Sequence, residues 1–174
     1  MKQEARIPTL LGLFLIIIGG VLGVILVQRP QIWRSTASSQ NTPNDVRITN
    51  VADTSFTVSW VTETETLGAV QFGTSTSLGE TAQEGTSGAR LVHHINLDRL
   101  KPETQYFFKI INGSQTFDND GNPWKQRTAK ILTPRAADVI SGTVKTASET
   151  PVTGAVVYVT LPTASPLSTV TNEE

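Results

Sequence analysis

The sequence predicts an all-β fold, an antiparallel Greek-key β-sandwich, preceded by one transmembrane helix and followed by an incomplete second β-unit. Three observations carry this expectation. Between Asp45 and Pro134 apolar residues recur at every second position, as half-buried strands require, and no helical period intervenes. The stretch Leu97–Tyr106 makes a proline-directed bend between two such runs and ends in an aromatic hydroxyl. The run from Ile7 to Val27 carries no charge in 21 residues, unlike anything downstream.

The bend organises its neighbours. Pro102 fixes its own φ and pushes Lys101 into an extended shape, so the chain turns instead of pairing on. Leu97 and Leu100 are spaced to close one end of a core. Tyr106 then opens an alternating run in which Tyr106, Phe108 and Ile110 share a face. A Tyr with a buried ring and a hydroxyl returned to the backbone just upstream marks the corner of Greek-key sandwiches. Trp60, Leu97, Leu100, Pro102, Tyr106 and Phe108 are accordingly the expected structural core.

Residues 1–34 hold an expected signal-anchor. Its span, 7–27, matches the ~20 apolar residues a helix needs to cross a hydrocarbon layer about 30 Å thick. Pro8 falls in the first turn, where a missing N–H is tolerated. A cleaved secretory signal is the alternative, but the run exceeds the usual apolar region of roughly 7–15 residues. The small-x-small site Ser35-Thr36-Ala37 also lies behind Arg34. Lys2 and Arg6 on one side balance Arg29 and Arg34 on the other, so charge leaves the orientation open. The exported character of the β-domain places the C-terminal part outside a cell membrane crossed once. The lipid bilayer is thus an expected partner, contacted through residues 7–27. Gly19 and Gly23 have the spacing that lets two helices approach and dimerise weakly, although glycine is common in such segments anyway. Residues 35–44, polar and without apolar periodicity, read as a flexible linker.

Residues 45–134 form the expected sandwich. Val46 and Ile48 alternate with Arg47 and Thr49. After the turn Asp53-Thr54-Ser55, Phe56, Val58 and Trp60 alternate with Thr57, Ser59 and Val61, and Trp60 is the natural centre of the core. Val70 and Phe72 make a third run, ended by Gly73. Thr74 to Gly88 is polar and holds a short edge strand and loops. Leu91, His93, Ile95 and Leu97 lie on one face of the strand that enters the bend. Beyond Ile110, Asn112-Gly113 and Asp120-Gly121 suit the positive φ of hairpins. A last strand lies within Trp124 to Leu132. Six or seven short strands without a helical period indicate an antiparallel sandwich.

Composition removes several function classes. The 174 residues include no cysteine, which excludes disulfides, thiolate metal sites, a cysteine nucleophile and a lipoprotein anchor. From Ser35 onward ten basic residues face fourteen acidic ones, so there is no electrostatic footprint for nucleic acid. His93 and His94 are neighbours on a strand, point to opposite faces and cannot chelate one ion together. One belongs at the core edge and the other in solvent. Asp118-Asn119-Asp120-Gly121-Asn122 resembles the start of a calcium loop, but no closing acid follows, and a hairpin tip explains it better. Asn112-Gly113-Ser114 reads equally as a glycosylation sequon or as turn chemistry. No nucleophile elbow, phosphate-cradling loop or dinucleotide fingerprint occurs. No catalytic, metal or cofactor-binding residue is assigned, and an enzyme is not expected.

Trp60 together with Leu97, Leu100, Pro102, Thr104 and Tyr106, an L-x-x-L-x-P-x-T-x-Y pattern, resembles the fibronectin type III family, an immunoglobulin-like sandwich. The resemblance covers roughly half the chain. Gly68-Ala69-Val70-Gln71-Phe72-Gly73 with His93-His94 is similar to the fibronectin-like domain that precedes the catalytic domain in purple acid phosphatases. That resemblance implies metal ligands in the other domain, not here. The adhesive tripeptide Arg-Gly-Asp is absent. In the tail, residues 135–174, Ile140–Lys145 and Pro151–Thr160 resemble the first two strands of a carboxypeptidase regulatory-like, transthyretin-like domain, with Thr169–Asn172 opening a third. About 35 residues cannot close such a sandwich, since two or three strands expose both edges. The chain therefore reads as the N-terminal piece of a longer protein, or as a truncated open reading frame. A short hairpin packed on the first domain is the alternative, disfavoured by Pro162 and Pro166.

The function expected is that of a membrane-anchored, surface-exposed structural or adhesive module contacting an unknown protein or glycan. The alternative is a non-catalytic accessory stem of a longer surface hydrolase with the purple acid phosphatase arrangement. A sensor ectodomain is disfavoured, because few residues precede the membrane helix.

Overall fold

The computed structural model describes residues 40–85, 88–131 and 139–172. The expected signal-anchor with its span 7–27, the glycines Gly19 and Gly23, and half of the expected linker 35–44 lie outside these residues. Among the described residues no helix is long and apolar enough to cross a membrane. Their regular elements are strands, in the order β1 (Asn44–Thr49), β2 (Phe56–Thr66), β3 (Gly68–Gly73), β4 (Glu80–Gln83), β5 (Arg90–Leu97), β6 (Gln105–Asn112), β7 (Gln115–Phe117), β8 (Trp124–Arg127), β9 (Val156–Val159) and β10 (Leu167–Val170).

Two antiparallel sheets face each other. One has the order β1-β2-β5; the other runs β4-β3-β6, with β7 and β8 on the remaining edge of β6. Alternation along each strand decides what lies between them. Phe56, Val58 and Trp60 of β2 and Ile95 and Leu97 of β5 meet Val70 and Phe72 of β3 and Tyr106, Phe108 and Ile110 of β6 in one cluster. Phe56 bridges the sheets, with its ring centroid 6.5 Å from that of Tyr106 and 6.0 Å from that of Phe108. These tilted contacts add to the area buried, because ring edges prefer ring faces. Trp124 stacks on Phe108 at 5.7 Å and covers the cluster from β8.

The bend seals one end of the sandwich. Lys101 N–H donates to Tyr106 Oη at 2.9 Å, and Leu100 N–H donates to Thr54 O at 2.9 Å. Arg99 (φ 57°) and Glu103 (φ 50°) take left-handed backbone to make the reversal around Pro102. Thr128, just past the end of β8, completes it. Its hydroxyl donates to Lys101 O at 2.6 Å and accepts Thr104 N–H at 3.0 Å. Nothing in the sequence around Thr128 marks that role.

Leu91, at the start of β5 on the face it shares with His93, Ile95 and Leu97, is 44% exposed. The expected last strand is β8, within Trp124 to Leu132; a further short strand, β7, precedes it, and both pair with β6 and are separated by an excursion bridged at Asn119 and Asn122. In the tail, Ile140–Lys145 is not a strand and contributes a single bridge from Lys145 to Pro151. Only β9 and β10 pair, as a hairpin laid on the first sandwich.

Replacing Tyr106 by Phe removes only an acceptor for the Lys101 N–H and should cost about 1 kcal/mol. Tyr106→Ala or Trp60→Ala should cost about 3–5 kcal/mol, the penalty for losing a large buried aromatic. Urea denaturation midpoints check both, and an unshifted midpoint for Trp60→Ala would contradict its place in the core.

Candidate functional site

Alternation along β5 sends His93 inward and His94 outward, so the adjacent histidines enter two separate polar clusters. His93 is fully buried, its ring stacked on Trp60 with centroids 4.8 Å apart. Nδ1 lies 3.2 Å from Glu84 Oε1; Nε2 lies 3.1 Å from Thr66 Oγ1 and 3.4 Å from Thr62 Oγ1. A carboxylate only accepts, so Nδ1–H is the donor and Nε2 accepts from a threonine hydroxyl. Carboxylate, imidazole and hydroxyl follow the order of an acyl-transfer triad. Yet His93 is 0% and Thr66 7% exposed, which denies a reacting atom any approach. The cluster instead fastens the segment after β4 to the core. Gly68 makes room for it: a Cβ there would overlap His93 Nδ1 and lie 3.0 Å from Trp60 Cζ2. An open depression of about 550 Å³ lies beside it, lined by Leu67, Gly68, Thr81, Gln83 and Glu84 among others. Among the described residues no three His, Cys, Asp or Glu side chains are grouped to hold a metal ion.

The second cluster lies on the outer face of the β1-β2-β5 sheet. Thr57 and Ser59 alternate with the core residues and read from sequence as solvent-facing, yet they and Thr49 are at most 1% exposed. The β9–β10 hairpin covers them. Ser168 is its hub. Its N–H donates to Asn50 Oδ1 at 2.9 Å, its carbonyl accepts Asn50 Nδ2 at 2.8 Å, and its Oγ meets Thr49 Oγ1 and His94 Nε2. Asn50 N–H also donates to Pro166 O at 2.9 Å, so the proline thought to disfavour docking supplies an acceptor for it. Further along, Ser59 Oγ and Tyr158 Oη share a hydrogen bond of 2.8 Å, and the Arg47 guanidinium lies 4.4 Å from the Tyr158 ring centroid. Burial under the hairpin pushes the His94 imidazole below its ordinary pKa.

The residues singled out from sequence fall as follows. Trp60, Leu97 and Phe108 are fully buried, Leu100 and Tyr106 nearly so, and Pro102 is half-buried at the bend. Asn112 of the sequon is fully buried. Its Oδ1 accepts Trp60 Nε1–H at 2.9 Å and its Nδ2 donates to Asn41 O at 2.7 Å. Both functions of the amide are engaged, which leaves no nitrogen for a glycan. In the calcium-like stretch, Asp118 accepts Gly121 N–H at 2.8 Å and lies 3.1 Å from Lys109 Nζ. Those two partners, the amide first, hold the Asp118 carboxyl below its usual pKa and make the stretch a turn. Sequence reasoning missed Asn50, Glu84 and Ser168. Asn50 and Ser168 lie 118 positions apart and Glu84 nine from His93, and no local pattern signals either pairing.

Residues 43–129 match the family described as Purple acid Phosphatase, N-terminal domain. Solved structures that the chain resembles include a computer-redesigned β-sandwich protein, at 21% identity and a TM-score of 0.37, covering 52% of this chain and 96% of that one. The sensor domain of the anti-sigma factor RsgI4 of Pseudobacteroides cellulosolvens is another, in two lengths. The shorter has 13% identity and a TM-score of 0.36 over 49% of this chain and 96% of that one; the longer has 13% and 0.34 over 54% and 99%. A comparison with curated proteins found no match.

Gly68→Ala should destabilise the fold by about 1–3 kcal/mol, because neither buried ring has room to move; calorimetric melting tests this. Produced in a glycosylating host, the chain should carry no glycan at Asn112, as peptide mass spectrometry would reveal.

Proposed function

The chain belongs to the purple acid phosphatase N-terminal domain family, and on that premise we propose that it is the non-catalytic β-sandwich stem of a surface hydrolase. The observation that carries this reading is the family match itself, which spans the sandwich from Pro43 to Ala129. The architecture supports it. The histidine–carboxylate cluster is spent on packing, and the hydrogen-bonding side chains of the outer sheet face are engaged with the chain's own hairpin. In this arrangement the hydrolytic metal site belongs to another domain, and the sandwich spaces and orients it.

Anchoring by residues 7–27 is part of the proposal. The apolar run would hold the stem at a membrane, with the linker 35–44 giving it reach and the sandwich outside the cytoplasm. A surface module that contacts a protein or glycan uses the same architecture, and differs only in what the sandwich meets.

The stem reading is tested by incubating the chain with ferric and zinc ions and p-nitrophenyl phosphate. Turnover should not exceed that of the ions alone; hydrolysis that saturates with substrate and is lost on His93→Ala would overturn the reading. Anchoring is tested by washing membranes with alkaline carbonate. The full chain should stay in the pellet, with residues after Ser35 open to external protease; release of a shortened soluble form would show cleavage instead.

A further inference from the structure

We propose that the contact between the β9–β10 hairpin and the outer face of the β1-β2-β5 sheet is an acid-releasable joint, closed at neutral pH and opened by protonation of His94. The joint is held by hydrogen bonds and one cation–ring contact. Its named contacts are the bonds of Ser168 to Thr49, Asn50 and His94, the Ser59–Tyr158 hydroxyl pair, the Asn50–Pro166 backbone bond and the Arg47–Tyr158 stack. No residue of β9 or β10 belongs to the hydrophobic cluster of the sandwich, so the hairpin can lift without opening the core. The approach to the hairpin is exposed at Val139 to Thr143 and at Lys145 to Pro151. Its backbone bonds are internal: Thr146 N–H donates to Thr150 O and Val152 N–H donates to Val144 O.

His94 is the one imidazole in the joint. The titratable and charged groups around it are Tyr158 from β9, Arg47 from β1 above that ring, and Glu84 from the segment after β4. The facing stretch of β2, Thr57 to Val61, brings none, and neither does β10. Burial is the largest influence on His94 and disfavours its cation; the negative charge of Glu84 opposes burial without overcoming it. Once the hairpin lifts, the ring regains water and an ordinary pKa of about 6.5. The open form therefore binds the proton more tightly than the closed one. The joint is fully favoured above that pH and weakens as pH falls below it, by at most about tenfold in the closing equilibrium per pH unit for one linked proton. Opening would uncover a row of hydroxyls, Thr49, Thr57 and Ser59, beside a charged imidazole.

The absence of native cysteine makes the test direct. Spin labels at Asn96→Cys and Thr169→Cys, both exposed positions, report the distance between β5 and β10 in the full chain. At pH 8 a single short distance is expected. Between pH 6.5 and pH 5 a longer one should grow, its ratio to the short one rising by up to about tenfold per pH unit, while near-ultraviolet dichroism from Trp60 stays unchanged. His94→Gln, or His94→Asn if the first folds poorly, should keep the short distance at both extremes. A distribution unchanged down to pH 5, the same opening in the His94 variant, or loss of the Trp60 signal together with the short distance would each overturn the proposal.

Discussion

An indole N–H buried between two sheets must find an acceptor there, and the arrangement of this sandwich follows from how Trp60 finds one. Its Nε1–H donates to Asn112 Oδ1 across the gap from β2 to β6, and the same amide donates onward to Asn41 O before β1. Left unsatisfied, each of these buried groups would cost about 1–3 kcal/mol. The chain ahead of β1 is thereby tied to the far sheet. On the other side of the indole, His93 stacks and passes its hydrogen bonds to Glu84, Thr62 and Thr66. Gly68, where the chain crosses between sheets after Leu67, has to lack a side chain for both rings to fit.

The bend at Pro102 plays the corresponding part at the other end. Tyr106 Oη holds Lys101 N–H, and Thr128, just beyond β8, spans the reversal. Between these two fastenings lies a core of aromatic and branched side chains without polar atoms. Polar chemistry is confined to the rims and to the outer face under the hairpin. Such a division would suit the proposed spacer, with any adjustment falling to the hydrogen-bonded surface joint.

That surface joint changes the meaning of the tail. Taken as a start of a separate domain, Val156–Val170 would leave both its faces and edges in water. Laid over β1, β2 and β5 it buries Thr49, Thr57 and Ser59, whose hydroxyls then need partners. Ser168, Tyr158 and Asn50 supply them. The tail and the sandwich are therefore chemically matched, serine and tyrosine against threonine, serine, asparagine and histidine.

Much of this was readable along the chain. The period of two located β2, β3, β5 and β6, and a proline followed four positions later by Tyr106 gave away the corner, because both are local patterns set by backbone geometry. Gly-containing turns at Asn112-Gly113 and Asp120-Gly121 were visible for the same reason, with φ positive at Gly113, Asp120 and Gly121. The tripeptide at Asn112 left sequon and turn both open, since three letters do not reveal that the amide sits opposite an indole 52 positions away. Thr57 and Ser59 misled. Alternation tells which side of a strand is apolar, but says nothing of what will cover the polar side. Here the cover is Ser168, 118 positions beyond Asn50, a small residue whose only qualification is a hydroxyl and a backbone placed where the folded chain needs them.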